Sequence, residues 1–262
     1  MKVKDVMTKE IIFVDKDVDL RHVLNLMKKH EITKIPVVEN KKLVGVITDN
    51  MISVKLGSKR KHGVPASRLH ASSVTEKDTT VISPTSDIKT ILRMVGKPGP
   101  TILNVVEDDH LVGVVTKADL LYLVKSQKKV RDIMQKKILS VSSDDRVIHA
   151  RRVMMDENVA RLPVIDDGRL VGMISDTEIA FALANVKRSF PVGKQKHRLE
   201  ELLVQDVMKK PVVWTQANIS IEEAARIMLK TNVGALPLIE NDTIVGIVTR
   251  TDLIKTLQLK DL

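Results

Sequence analysis

One set of intervals limits what this chain can fold into. Met7, Met134 and Met208 each stand 29 residues before a proline, Pro36, Pro163 or Pro237, and each proline stands nine residues before a glycine, Gly45, Gly172 or Gly246. Asn104 and Gly113 keep the nine-residue interval in a fourth copy that lacks the Val-Met opening. Intervals held this way mark an internal repeat, whose units bury their apolar faces against one another.

Within each copy the pattern switches period. Around Pro163 the run Leu162-Pro163-Val164-Ile165 is followed by Asp166-Asp167-Gly168 and then Leu170-Val171-Gly172-Met173-Ile174. Two apolar runs around a short polar turn predict a hairpin, and Ser175 is placed to cap the helix that follows. The first copy predicts strands near 34–39 and 43–47 and a helix over 50–56, after an apolar run Ile11-Ile12-Phe13-Val14 and helical spacing of Leu20, Val23, Leu24 and Met27. Each unit is therefore β-α-β-β-α, an α/β chain whose short elements share cores between units. The second unit predicts a strand over Thr80–Ser83 and a helix capped by Ser86 and ended near Gly96, with Pro98 and Pro100 beyond. In the third, Ile138–Val141 is a strand and the closing helix covers 177–184; in the fourth, Val212–Trp214 is a strand and Ser220 with Glu223 fits a capping box. The units divide as 1–60, 68–127, 128–187 and 202–262.

Composition narrows the function. The chain has 262 residues with no cysteine, which excludes disulfides, thiolate metal sites and cysteine nucleophiles. No metal motif, Gly-rich lysine loop or signal peptide stands out, and the apolar runs are too short to span a bilayer, so a non-catalytic cytoplasmic protein with no membrane contact is expected. A net charge of +10 suits phosphate-bearing partners or a merely solvated basic surface. The run Lys59, Arg60, Lys61, His62 reads as a solvated linker or a nucleic-acid contact. The basic stretch 187–198 reads as a mobile loop or as a loop offering lysines to phosphate. One Trp, one Tyr and three Phe are too few for base stacking, which leaves only backbone binding to a nucleic acid.

The openings Asp5-Val6-Met7, Asp132-Ile133-Met134 and Asp206-Val207-Met208 resemble those of CBS domains. So do the closings Gly113-Val114-Val115-Thr116-Lys117-Ala118-Asp119 and Gly246-Ile247-Val248-Thr249-Arg250-Thr251-Asp252. The arrangement is similar to stand-alone archaeal four-CBS proteins and to the gamma subunit of AMP-activated protein kinase. The resemblance implies two Bateman modules, each a pair of repeats, packed into a disk with clefts for adenosine ligands. It also implies that the acid three positions after the Thr/Ser holds ribose hydroxyls and that the hydroxyl and nearby cations contact phosphate.

A hydroxyl ending a strand and a carboxylate one helical turn later can both reach the mouth of one cleft, where the carboxylate accepts from two vicinal hydroxyls. The same spacing also serves ordinary helix capping. Thr116 with Asp119 and Thr249 with Asp252 are the leading pairs, each followed by a cation, Lys117 or Arg250. Ser175 with Glu178 is a longer version, and Met51 replaces the acid in repeat 1. Arg161 and Lys34, two positions before their prolines, are the further phosphate candidates that the resemblance implies; Ile102 and Ala235 take that place in repeats 2 and 4. Apolar walls for adenine are sought near Ile12, Leu139 and Val213 and at the three prolines, while Met27, Met154 and Met228 read as core.

The expected function is regulatory binding of AMP, ADP or ATP, with S-adenosylmethionine as another ligand and a nucleic-acid-binding or architectural role as the alternative. Self-association or an unidentified regulated protein completes the expected partners.

Overall fold

The structure, a computed structural model, describes residues 1–57, 64–95 and 102–257. The run Lys59–His62 lies outside the described residues, as do Gly96, Pro98 and Pro100.

Repeat 1 contains β1 (Val14–Asp15), α1 (Leu20–Lys29), β2 (Lys34–Glu39), β3 (Lys42–Thr48) and α2 (Asp49–Leu56). Repeat 2 follows with β4 (Val81–Ile82), α3 (Ile88–Val95), β5 (Ile102–Glu107), β6 (His110–Thr116) and α4 (Lys117–Leu121). Repeat 3 holds α5 (Val147–Asp156), β7 (Arg161–Asp166), β8 (Arg169–Ser175) and α6 (Asp176–Ser189). After α7 (Val192–Glu201), repeat 4 has α8 (Ile221–Lys230), β9 (Ala235–Glu240), β10 (Thr243–Thr249) and α9 (Arg250–Lys255).

Every hairpin closes through two residues of positive φ: Asn40 and Lys41, Asp108 and Asp109, Asp167 and Gly168, Asn241 and Asp242. Two left-handed residues in a row match the strand twist of a tight hairpin. Each hairpin also carries a register shift just ahead of its glycine on the second strand.

Several expected elements are altered. The first strand of repeat 1 keeps only Val14–Asp15, and those of repeats 3 and 4 shrink to the single parallel bridges Val141 to Val164 and Thr215 to Leu238. The preceding residues Ile11, Ile12, Leu139 and Val213 instead line a cavity. Asp87, rather than Ser86, caps α3, its carboxylate accepting from Lys89 N–H at 2.8 Å. The Ser220 hydroxyl accepts from Glu223 N–H at 3.1 Å, as a cap should. The stretch 187–198 is not a loop: α6 runs to Ser189 and α7 starts at Val192. Buried Gln195 ties the two helices by donating to the carbonyls of Lys187 and Phe190.

The repeats are joined in two directions. Opening segments are exchanged, so Thr8 bridges Val114 and Glu76 bridges Val46, while Gln135 bridges Ile247 and Lys209 bridges Met173. This pairs repeat 1 with 2 and repeat 3 with 4, giving the two Bateman modules. The hairpins of repeats 1 and 2 also join as one six-stranded sheet through Lys42 and His110. Hydrophobic cores run the other way. Leu20, Met27, Ile35 and Ile52 share one with Met154, Leu162, Ile179 and Leu183, and Ile91, Leu103 and Leu120 share another with Met228, Leu236 and Leu253. Module pairing and core sharing together lock all four units.

The exchange explains the recurring methionine and glycine. A Cβ at Gly113 would lie 2.6 Å from Met7 Sδ, at Gly246 2.7 Å from Met134 Sδ, and at Gly172 2.2 Å from Met208 Sδ. Each opening methionine packs onto the bare backbone of its partner repeat. Gly172→Ala is therefore expected to lower stability by about 1–3 kcal/mol in urea unfolding, the usual range for an overpacked contact. An unchanged midpoint would show that Met208 moves aside freely.

Candidate functional site

The closing helices α2, α4, α6 and α9 start at the middle of the molecule, around a cavity of about 1480 Å³ to which all four repeats contribute. Thr116, Ser175 and Thr249 end their strands here. In repeat 2, the Thr116 N–H and hydroxyl donate to Asp119 Oδ2 at 2.6 and 2.7 Å. In repeat 4, Thr249 makes the same two bonds to Asp252 Oδ2 at 2.9 and 2.7 Å. Ser175 N–H and its hydroxyl likewise donate to Glu178 Oε2. Each pair is a helix cap, and each borders the cavity.

The carboxylates also meet residues that sequence reasoning missed. Thr8 Oγ1 donates to Asp119 Oδ1 at 2.7 Å, and Gln135 Nε2 donates to both Asp252 oxygens at 3.2 and 3.3 Å. Both residues come from the exchanged opening of the module partner, directly after Met7 and Met134. That fixed place in the repeat is the signal that could have found them. In repeat 1 the Thr48 hydroxyl accepts from Met51 N–H at 3.2 Å. Among the described residues, Asp49 lines the cavity but Thr48 and Met51 do not.

Cations converge on the same space, one from each repeat. Lys34 and Arg161 begin β2 and β7, directly opposite Thr48 and Ser175 in the ladders. Lys117 and Arg250 begin α4 and α9, at the helix position that Asp49 and Asp176 occupy in α2 and α6. Burial pushes Lys34 down to about 8, helped by Arg250 and Arg161 and opposed by Asp49. Burial also lowers Lys117 to about 8, with Lys34, Arg161 and Lys255 adding to the effect and Asp252 opposing it. Arg250 is lowered to about 10 by burial and Arg161, and Arg161 itself is lowered by burial. Asp176 moves up to about 6, through burial and then the charge of Asp49. Four crowded, poorly hydrated cations make a strong attractor for an anion.

The side chains are not confined to their own repeats. Lys117 Nζ donates to Thr251 Oγ1 at 2.7 Å, across the core shared by repeats 2 and 4. The Arg161 guanidinium lies against Gly234, where a Cβ would come within 2.5 Å of Nη1. Arg250 stays nearer home, its Nε donating to Val233 O and its Nη2 to Asn232 Oδ1, both at 3.1 Å. The Thr177 hydroxyl donates to the Asp49 carboxylate. Ile12, Leu139, Val213, Pro36 and Pro163 are apolar lining; Pro237 is not among it. Met27, Met154 and Met228 are buried in the cores.

Among the described residues no cluster of His, Cys, Asp and Glu could hold a metal, and no helix is long and apolar enough to cross a membrane.

Fold and site define a module assembled from four repeats around a shared cavity. The chain belongs to the CBS domain family, whose model matches residues 3–56, 71–126, 130–185 and 204–259. Among curated relatives, the uncharacterized protein MJ1404 of Methanocaldococcus jannaschii is 27% identical over 97% of this chain, which spans 61% of that relative's length. MJ1225 of the same organism is 25% identical, with 94% of this chain and 95% of that protein covered. The crystal structure of MJ1225, described as a candidate archaeal homologue of γ-AMPK, superposes with a TM-score of 0.84 at 22% identity, covering 98% of this chain and all of that one. An uncharacterized conserved protein of Pyrococcus horikoshii superposes with a TM-score of 0.61 at 22% identity, covering 98% of this chain and 100% of its own.

Proposed function

We propose that this protein is a sensor of adenine nucleotides, AMP, ADP or ATP, which bind in the central cavity and change how the two modules pack. The observation that carries this reading is the meeting of one cation from each repeat, Lys34, Lys117, Arg161 and Arg250, beside the pairs Thr116/Asp119 and Thr249/Asp252. The carboxylates suit vicinal ribose hydroxyls, the cations and helix N-termini suit phosphate, and Ile12, Leu139 and Val213 offer apolar surface to a base. Ser175 with Glu178 forms a third, longer pocket. Occupancy regulates by favouring one module packing over another, which requires different affinity for the two arrangements.

The cationic centre disfavours the sulfonium of S-adenosylmethionine. The nucleic-acid alternative is weakened at α7, where His197 sits 3.1 Å from Glu201 and Lys196 and Arg198 lie within 4.0 Å of Glu200 and Glu201.

Calorimetric titration of nucleotide-stripped protein with AMP, ATP and S-adenosylmethionine tests the reading. Asp119→Ala and Asp252→Ala are each expected to weaken AMP at one pocket by at least about tenfold, the loss of charge-assisted bonds to two hydroxyls. Failure of AMP and ATP to bind the unsubstituted protein would remove the nucleotide assignment.

A further inference from the structure

Resting on the nucleotide reading above, the geometry points to a residue that sets which nucleotide the cavity prefers. We infer that Asp49 discriminates by charge: its carboxylate, facing the cavity among the cations, holds off the added phosphates of ATP and so shifts the preference toward AMP.

Each closing helix puts a charged residue first: Asp49 in α2, Lys117 in α4, Asp176 in α6 and Arg250 in α9. Three of these line the cavity, and Asp176 does not. Of the three, Asp49 alone is an acid. The seam of repeats 2 and 4 therefore offers cations where the seam of repeats 1 and 3 presents a carboxylate.

Asp49 is held in place. It is 9% exposed, and its N–H donates to Thr33 O at 3.0 Å. Asn50 N–H donates to Asp49 Oδ1 at 2.9 Å, and from across the seam the Thr177 hydroxyl donates to Oδ2. The helix cap is made without this side chain, by Thr48 accepting from Met51 N–H. With Met51 in the place of the acid, Asp49 belongs to no pair like Thr116/Asp119 or Thr249/Asp252.

Its charge is instead felt by the phosphate candidates. Burial lowers both Lys34 and Arg161, and the leading influence that opposes burial at each is Asp49. The two cations thus carry a counter-charge supplied by the protein itself. A phosphate entering beside them gains their attraction and meets Asp49 as a like charge. That repulsion grows with every phosphate added, so it costs ATP more than AMP and leaves an uncharged nucleoside untouched. Lys117 and Arg250 are supported differently, by Asp252 and Asp119, which are the ribose candidates.

Calorimetric titration of Asp49→Asn with AMP, ATP and uncharged 5′-deoxy-5′-methylthioadenosine, in magnesium-free buffer, separates this role from a structural one. Asparagine keeps an acceptor for the Thr177 hydroxyl and removes the charge. ATP affinity should rise at least about fivefold more than AMP affinity, while methylthioadenosine changes by less than about twofold. Asp49→Glu, which retains the charge, should keep the ATP-to-AMP ratio within about threefold of that of the unsubstituted protein. Asp49→Ser is a second neutral variant in case asparagine disturbs the seam, and the same shift in ratio is expected of it. Equal changes for AMP and ATP in the neutral variants, or a ratio that moves as far in Asp49→Glu, would overturn the inference and leave the nucleotide reading standing. Absence of AMP and ATP binding to the unsubstituted protein would instead bring down that reading and this inference with it.

Discussion

Asp176→Asn gains stability over the unsubstituted protein as pH rises from about 4.5 to about 7.5, by up to about 3 kcal/mol at the upper end. Asp176 is the first residue of α6 and is 4% exposed. Burial and the neighbouring charge of Asp49 hold its carboxyl up at about 6, against the ordinary 3.8, although the Asn50 side chain, Arg161 and Arg151 all favour the charged form. Between those two values the folded protein retains a proton that the unfolded chain has released. Stability attributable to this group is therefore complete below about 4 and declines as pH climbs through 6. Asparagine has no charge to accommodate and avoids the decline. The helix N-terminus pulls the other way, since it favours an anion, but at a buried site the effect reaches only about 2 kcal/mol and burial outweighs it here. Lys34 and Lys117 change charge near 8, above this window. Urea unfolding of both proteins at several pH values measures the difference. A gap that does not change with pH would show that the carboxylate is as comfortable folded as unfolded.

Much of this architecture was legible in the intervals between residues. The hairpins followed from alternating apolar runs around polar pairs, and the cap pairs Thr116/Asp119 and Thr249/Asp252 followed from strand ends three residues ahead of an acid. A period states what each unit contains, though, and not which unit it leans on. Nothing in the spacing of Met208 and Gly172 announces that one packs on the other, because that contact belongs to an exchange between repeats 3 and 4. The same limit hid Thr8 and Gln135, whose side chains meet acids more than a hundred positions away. It also hid the reach of Lys117, whose side chain is long enough to leave its own helix and donate to Thr251. The stretch 187–198 was misread for a different reason. Lys187, Arg188, Lys194, Lys196 and Arg198 look like a solvated loop, but they extend one helix and begin another, and glutamates one turn on offset part of the charge. The shortened first strands are the reverse case: Ile11, Ile12, Leu139 and Val213 are apolar enough for a ladder, yet they face the cavity.

Ile52→Ala is expected to cost about 2–5 kcal/mol and to reduce AMP binding although Ile52 does not line the cavity. Ile52 is fully buried on α2, in the core that Ile179 and Leu183 of α6 enter from the other module. That seam sets the spacing between repeats 1 and 3, which supply Lys34 and Arg161 and the facing residues Asp49, Asp176 and Thr177. Removing three methylene-sized groups there leaves a void that the two helices relax into only in part, and Lys34 and Arg161, opposite the caps Thr48 and Ser175 of those helices, lose their common focus. A domain in the upper part of the usual range of roughly 5–15 kcal/mol stays folded through such a loss, and Ile52→Val keeps binding measurable where the range is at its lower end. Ile52→Val, at about 0.5–1.5 kcal/mol, is the graded control. The readout is the shift of the urea midpoint on adding AMP, because a ligand at 100 times its Kd stabilises by about 2.7 kcal/mol. At one fixed AMP concentration the shift should shrink from the unsubstituted protein through Ile52→Val to Ile52→Ala. If all three proteins gained equally, the phosphate site would be independent of the seam, and occupancy would have no route through α2 and α6 to the packing of the modules.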